Sequence, residues 1–134
     1  MTEFLDTNVV IYAIEDEGDK RAIARGILAR NDLVVSVQTL NEFVSVARRK
    51  LRMSWDEIIA IKGLLRTMGV AVVPVSVAAH EHAVALAVRN DIHIYDATII
   101  ACALEAGCDT LWTEDLTDGQ RFGGLTVRNP FAAA

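Results

Sequence analysis

Short apolar runs rich in β-branched residues alternate along this chain with stretches of helical periodicity, and that alternation narrows the fold more than any other feature. "LVVSVQ" and "VAVVPVS" are too short and too uniformly apolar for surface helices, and they lack the in–out alternation of a half-exposed strand. Between and around them lie "DKRAIARGILARN", "TLNEFVSVARRKL", "SWDEIIAIKGLLRTMG", "VAAHEHAVALAVRN" and "DATIIACALEAG", whose apolar residues recur at helical spacing. "EFLDTN", leading into the helix "NVVIYAIE", and "TLWTED" and "LTVRNPF" near the end supply three further strands. Buried strands separated by helices imply a parallel sheet covered on both faces, a three-layer α/β/α sandwich with a five-stranded, mainly parallel sheet.

Local signals mark the boundaries. Ser54 with Glu57 three residues on is a capping-box pattern, and Thr39 with Glu42 repeats it. Asn31 reads as the stop of the second helix, Gly69 and Gly107 as later helix stops, and Pro74 as a strand end or edge. No internal repeat or linker interrupts the chain, so residues 1–134 are expected to form one domain with a frayed "AAA" at the end.

At 52% hydrophobic over 134 residues there is ample material for one core. Cys102 and Cys108 fit no metal or redox motif and read as small core residues rather than a disulfide. No apolar run approaches the ~20 residues needed to span a bilayer, and no positive leader is visible, so a cytoplasmic protein without membrane attachment is expected. The net charge of −5 argues against nonspecific nucleic-acid binding but not against a nuclease, because an acidic cation site makes the metal-free form more negative than the working one.

Four acids occupy comparable places in this pattern. Asp6 ends the first strand, Glu42 lies in the first turn of the helix after the second, Asp96 begins the last long helix, and Asp115 ends the fourth strand. In a doubly wound sheet those positions share one edge, where ligands bind. Each acid alone has a structural explanation as a cap or a loop residue. Together at one edge they would repel unless a cation neutralised them, and an oxygen-only set suits Mg²⁺ or Mn²⁺ better than zinc.

The segments "FLDTNVVIYAIE", "TLNEF", "IYDATIIACA" and "LWTEDLTDG", ending in "VRNPF", closely resemble the PIN domain, in particular the VapC-type toxin ribonucleases of toxin–antitoxin pairs. The resemblance covers essentially the whole chain, in order. It implies strand order 3-2-1-4-5 and a Mg²⁺-dependent endoribonuclease with Asp6, Glu42, Asp96 and Asp115 as its metal-binding and catalytic acids. Asp6 and Asp96 would be the firmest ligands, with Glu42 and Asp115 either holding a second ion or positioning the attacking water. Thr7, Asn8 and Thr113 would support the site. On the last loop Glu114 and Asp118 compete with Asp115, which ranks first. Implied partners are an RNA substrate (tRNA, rRNA or mRNA), a VapB-type antitoxin and a second copy of the chain. The alternatives are an RNA-processing PIN nuclease outside a toxin–antitoxin pair, a catalytically silent PIN-like module, or a haloacid-dehalogenase-like phosphatase, which wants an aspartate where Asn8 stands.

Other residues carry weaker signals. "RRKLR", with Arg48, Arg49, Lys50 and Arg52, is the densest basic patch and suits either RNA phosphates or the negative end of a helix. His80 and His82 point to different faces of one helix, His93 lies near the expected site, and Trp55 and Trp112 read as packing residues. Ile11, Tyr12 and Ile14 suit either a partner groove or the core.

Overall fold

A computed structural model describes residues 2–15 and 18–132; Ala133 and Ala134 of the expected frayed end lie outside them. The chain runs β1 (Glu3–Leu5), α1 (Thr7–Ile14), α2 (Asp19–Leu28), β2 (Leu33–Ser36), α3 (Val37–Arg49), α4 (Trp55–Thr67), β3 (Ala71–Val73), α5 (Val77–Asn90), α6 (Ile94–Glu105), β4 (Thr110–Trp112), β5 (Arg121–Phe122) and β6 (Leu125–Arg128). One sheet holds these strands in the order β3-β2-β1-β4-β6-β5.

Every pairing is parallel except β5 with β6. Because β6 is the "LTVR" strand expected fifth, the sequence-based order 3-2-1-4-5 stands, extended by one two-residue antiparallel strand. Gly123 and Gly124 form the tight connection between Phe122 and Leu125, and the positive φ of Gly123 is what such a hairpin turn requires. The Gly-Gly pair was the available signal, but a two-residue strand carries no periodicity to reveal it.

The pleat divides the core. Phe4, Val34, Leu111, Leu125 and Val127 face α5 and α6, whereas Leu5, Leu33 and Val35 face α1, α2 and α4, with Phe43 and Ala47 of α3. Successive strand residues thus feed opposite layers, which is why the central Leu33, Val34 and Val35 are all apolar and buried. Cys102 and Cys108 are free and buried, as expected. No helix among the described residues is long and apolar enough to cross a membrane.

Boundary signals fared unevenly. Ser54 and Glu57 make both halves of the capping box, and Gly69 adopts a left-handed φ of 86° just beyond α4. Thr39, however, does not cap α3. Ser36 is the cap and receives the amide of Thr39, which frees Glu42 from any backbone duty. Asn31 lies beyond the end of α2, which closes at Ala29. Pro74 follows β3, the edge strand, as its missing N–H requires.

The sheet reverses its winding between β1 and β4. Strands β2 and β3 extend one way from that junction and β6 and β5 the other, so a crevice opens beyond the carboxyl ends of β1 and β4.

Candidate metal centre

Asp6 follows β1 directly and lies in that crevice. Its extended backbone (φ −80°, ψ 161°) makes it the N-cap of α1, and Oδ1 accepts the Thr7 amide at 2.6 Å. The structural role considered for this aspartate is therefore real, but it engages only one carboxylate oxygen. Oδ2 accepts the Thr113 hydroxyl at 2.6 Å and the Asn8 amide at 3.3 Å. Thr113 stands just past β4 and is fully buried, so the two strand ends are joined through this contact.

Asp115, two residues beyond Thr113, is turned back toward Asp6. Its own amide donates to Thr113 Oγ1 at 3.1 Å, and Asn8 Nδ2 donates to its Oδ2 at 3.2 Å. Asp96 arrives from the first turn of α6. One oxygen each from Asp6, Asp96 and Asp115 lies within 4.8 Å of the others, close enough to share a cation.

Glu42 stands beside this trio rather than in it. Oε2 accepts the Thr7 hydroxyl at 2.7 Å and Oε1 accepts Gln38 Nε2 at 3.2 Å. Gln38 also donates to the Tyr95 carbonyl at 3.1 Å, tying the start of α3 to the turn that carries Asp96. Thr7 thus links two acids, through its amide to Asp6 and its hydroxyl to Glu42.

The rest of the terminal loop is occupied elsewhere. Glu114 accepts the Tyr12 hydroxyl at 2.7 Å and pairs with Lys20 at 3.2 Å. Asp118 accepts the Asn129 amide at 2.9 Å. Of the three candidates in "TEDLTDG", only Asp115 joins Asp6 and Asp96.

The electrostatics follow from burial and crowding. Burial pushes the Asp6 carboxyl up to about 7 against the pull of the Thr113 hydroxyl and the Thr7 amide, and the charges of Asp115 and Glu42 add to the rise. Burial, then Asp115, also raises Asp96; nearby His93 opposes this and Glu42 reinforces it. Such displacement marks sites built for a cation or for proton transfer.

A hard divalent ion fits this set. All donors are oxygen, and the buried Oδ1 of Asn8 has no hydrogen-bond partner among the described residues. Asn8 Nδ2 faces acceptors of Asp6, Thr113 and Asp115, so a flipped amide would set its oxygen against carboxylates.

The site opens into a cleft of about 780 Å³ whose lining includes Asp6, Glu42, Asp115, Tyr95 and, toward the end of α3, Arg49 and Lys50. Of the four basic residues in "RRKLR", Arg48 instead donates to the Met53 carbonyl and lies over the Trp55 ring. Arg52 adopts a left-handed backbone beyond the helix and does not line the cleft.

The histidines stay outside the trio. His80 and His82 are exposed on α5, and His93 caps α6 by accepting the Tyr95 amide on Nδ1. Trp112 packs and bonds Glu3, whereas Trp55 is 55% exposed and is not core. Ile11 and Tyr12 line the cleft, and Ile14 lines a separate apolar groove between α1, α2 and α4 with Leu64 and Met68. Gln38 and Tyr95 were not singled out from sequence. Only their spacing from Glu42 and Asp96 hinted at a place on the same rim.

The PIN domain family matches residues 4–117. Among solved structures, the chain is similar to a toxin–antitoxin complex from Klebsiella pneumoniae, with a TM-score of 0.75 and 21% identity over 97% of this chain and 98% of that one. It is also similar to VapC20 of Mycobacterium tuberculosis, a sarcin–ricin loop cleaving toxin (TM-score 0.70, 21% identity, 85% and 92% of the two chains). VapBC-1 from nontypeable Haemophilus influenzae gives a TM-score of 0.69 at 26% identity, over 97% and 98%. No curated protein sequence matches the chain.

Proposed function

Because the chain belongs to the PIN domain family, we propose that it is a Mg²⁺-dependent endoribonuclease and the toxin half of a toxin–antitoxin pair. The observation that carries this reading is the meeting of Asp6, Asp96 and Asp115, from three distant parts of the chain, within 4.8 Å. Carboxylates so close repel one another, and a bound cation reverses that cost.

Asp6, Asp96 and Asp115 would hold the ion. Once bound, it supplies positive charge for the phosphodiester oxygens and makes a water acidic enough to attack at neutral pH. The chain's own residues supply orientation. Thr113 and Thr7 fix the two oxygens of Asp6, and Asn8 holds Asp115 against it. Thr7 and Gln38 keep Glu42 beside the trio, where its carboxylate can take a proton from the attacking water or help to hold a second ion. Since water rather than the neighbouring 2′-OH attacks, the products carry 5′-phosphate and 3′-hydroxyl ends.

Support for RNA as substrate comes from the mycobacterial relative, which cleaves the sarcin–ricin loop. Support for a VapB-type antitoxin comes from the VapBC complexes among the similar structures. The apolar groove between α1, α2 and α4 offers it a seat, and the exposed Val77, Val84 and Val88 of α5 offer a face for a second copy.

The test is RNA cleavage by antitoxin-free protein with Mg²⁺, with EDTA, and after Asp96→Asn. Cleavage is expected only in the first case. Activity that survives both chelation and substitution overturns the mechanism.

A further inference from the structure

The cleft does not end at the acids. Helix α3 forms one of its walls, and Gln38, Asn41, Glu42, Ser45 and Arg49, at spacings of three or four, lie on one face of that helix and line it. Apart from Val46, the α3 lining is polar, and it changes sign along its length, from the Glu42 carboxylate to the Arg49 guanidinium. Lys50, the next residue, also lines the cleft.

What sets this pair apart from the other surface cations is its place on the cleft lining. Neither Arg49 nor Lys50 pairs with a carboxylate among the described residues, so both are free to meet a ligand, whereas Lys20 and Arg30 are each held by a glutamate. The neighbouring Arg48, by contrast, is spent on a carbonyl and a tryptophan ring. On a chain of net charge −5, two unpaired cations at the far end of an acidic cleft form a local reversal of field.

We propose that Arg49 and Lys50 form a phosphate subsite for single-stranded RNA, remote from the bond being cut. The inference rests on the nuclease reading above and adds where the strand runs. Arg49 lies seven residues beyond Glu42, about 10 Å along the helix at 1.5 Å per residue, so it meets a phosphate farther along the strand than the scissile one. Single-strand sites join such a backbone-tracking positive groove to an aromatic on which a base stacks, and Tyr95, 59% exposed, stands on the cleft lining beside Asp96. The strand therefore enters at the basic end, passes along α3, and reaches the acids beside Tyr95.

The probe is a fluorescent, mixed-sequence single-stranded oligoribonucleotide, bound to the full chain in EDTA and followed by anisotropy across a salt series. Arg49→Gln with Lys50→Gln is compared with Arg52→Gln plus Arg66→Gln, a pair of equal charge whose members do not line the cleft. The cleft pair is expected to weaken binding about 5- to 10-fold and to flatten the slope of log K against log salt by about 1.4, two phosphates at ~0.7 each. The control pair should leave both nearly unchanged. Equal losses in both pairs, no loss in the cleft pair, or no binding by the unsubstituted chain overturns the subsite. Cleavage with Mg²⁺, assayed separately, reports on the nuclease reading itself.

Discussion

The hydroxyl of Thr113 donates to Asp6 at 2.6 Å across 107 positions of sequence, binding the end of β4 to the end of β1 at the point where the sheet reverses. The same oxygen accepts the amide of Asp115 at 3.1 Å, so one buried hydroxyl orients two of the clustered carboxylates. Thr113→Val keeps the shape and removes both bonds, together with the 3.4 Å contact that Asn8 Nδ2 donates to the same oxygen. A hydrogen bond to a charged group is worth roughly 1.5–3 kcal/mol, and stability at pH 8 should fall by about that amount. Mg²⁺ affinity should fall about 10-fold, the low end for a residue that orients a ligand. Urea denaturation and titration calorimetry check the two effects.

Asp6 should make the metal-free chain less stable as pH rises. Its folded carboxyl titrates at about 7, above its ordinary value of 3.8, so the folded state holds a proton that the unfolded state releases. The stability linked to that proton is complete below about pH 4, is lost progressively between 4 and 7, and is flat above 7. Asp96, also raised, acts in the same direction. In EDTA the loss should be on the order of a few kcal/mol. Asp6→Asn should remove most of it while abolishing Mg²⁺ binding. Denaturation at pH 5.5 and 8, with and without the substitution, checks the sign.

Substitutions on the terminal loop should divide sharply. Asp115→Asn is expected to weaken Mg²⁺ binding by about 10-fold or more, because Asp115 is one of the three converging carboxylates. Glu114→Gln and Asp118→Asn should change it by less than about threefold, since those side chains serve Tyr12 with Lys20 and the Asn129 amide. Calorimetry on the three variants checks the division, and a Glu114 effect equal to that of Asp115 would contradict it.

At the opposite end of β1, Glu3 is buried and held by Arg30 through two contacts of 2.6 and 2.7 Å and by Trp112 at 3.0 Å. Arg30 lowers the Glu3 carboxyl most, with Trp112 assisting against burial. The guanidinium is half exposed and screened by solvent, so Arg30→Met should lower stability at pH 7 by less than the loss of one partner of a fully buried pair would. This stability is present above the ordinary Glu value of 4.5 and is lost as pH falls through the lowered folded value. The variant should therefore show a weaker acid transition, with Mg²⁺ affinity unchanged.

The layers were legible because a strand buried on both faces has no choice but to be apolar, and "LVVS" satisfied α-layers on either side. The meeting of Asp6, Asp96 and Asp115 was legible because strand ends and helix starts share an edge in such a sheet. What sequence spacing could not supply was the partner of each side chain. "TLNE" has the pattern of a capping box, yet Ser36 took the cap and Glu42 turned to Thr7, a residue 35 positions away. "RRKLR" reads as one patch, but helical rotation sends Arg48 to Trp55 and Arg49 to the cleft. Such assignments depend on contacts between elements, which no local pattern encodes.

The sheet's two margins limit how copies of the chain can meet. β3 has three residues and is closed off by Pro74, and β5 has two. Neither offers a run of free backbone groups long enough to recruit a strand from a neighbour. Fibre-like growth by strand addition is thereby disfavoured, and association of this protein with itself or with another chain falls to side chains on its helices.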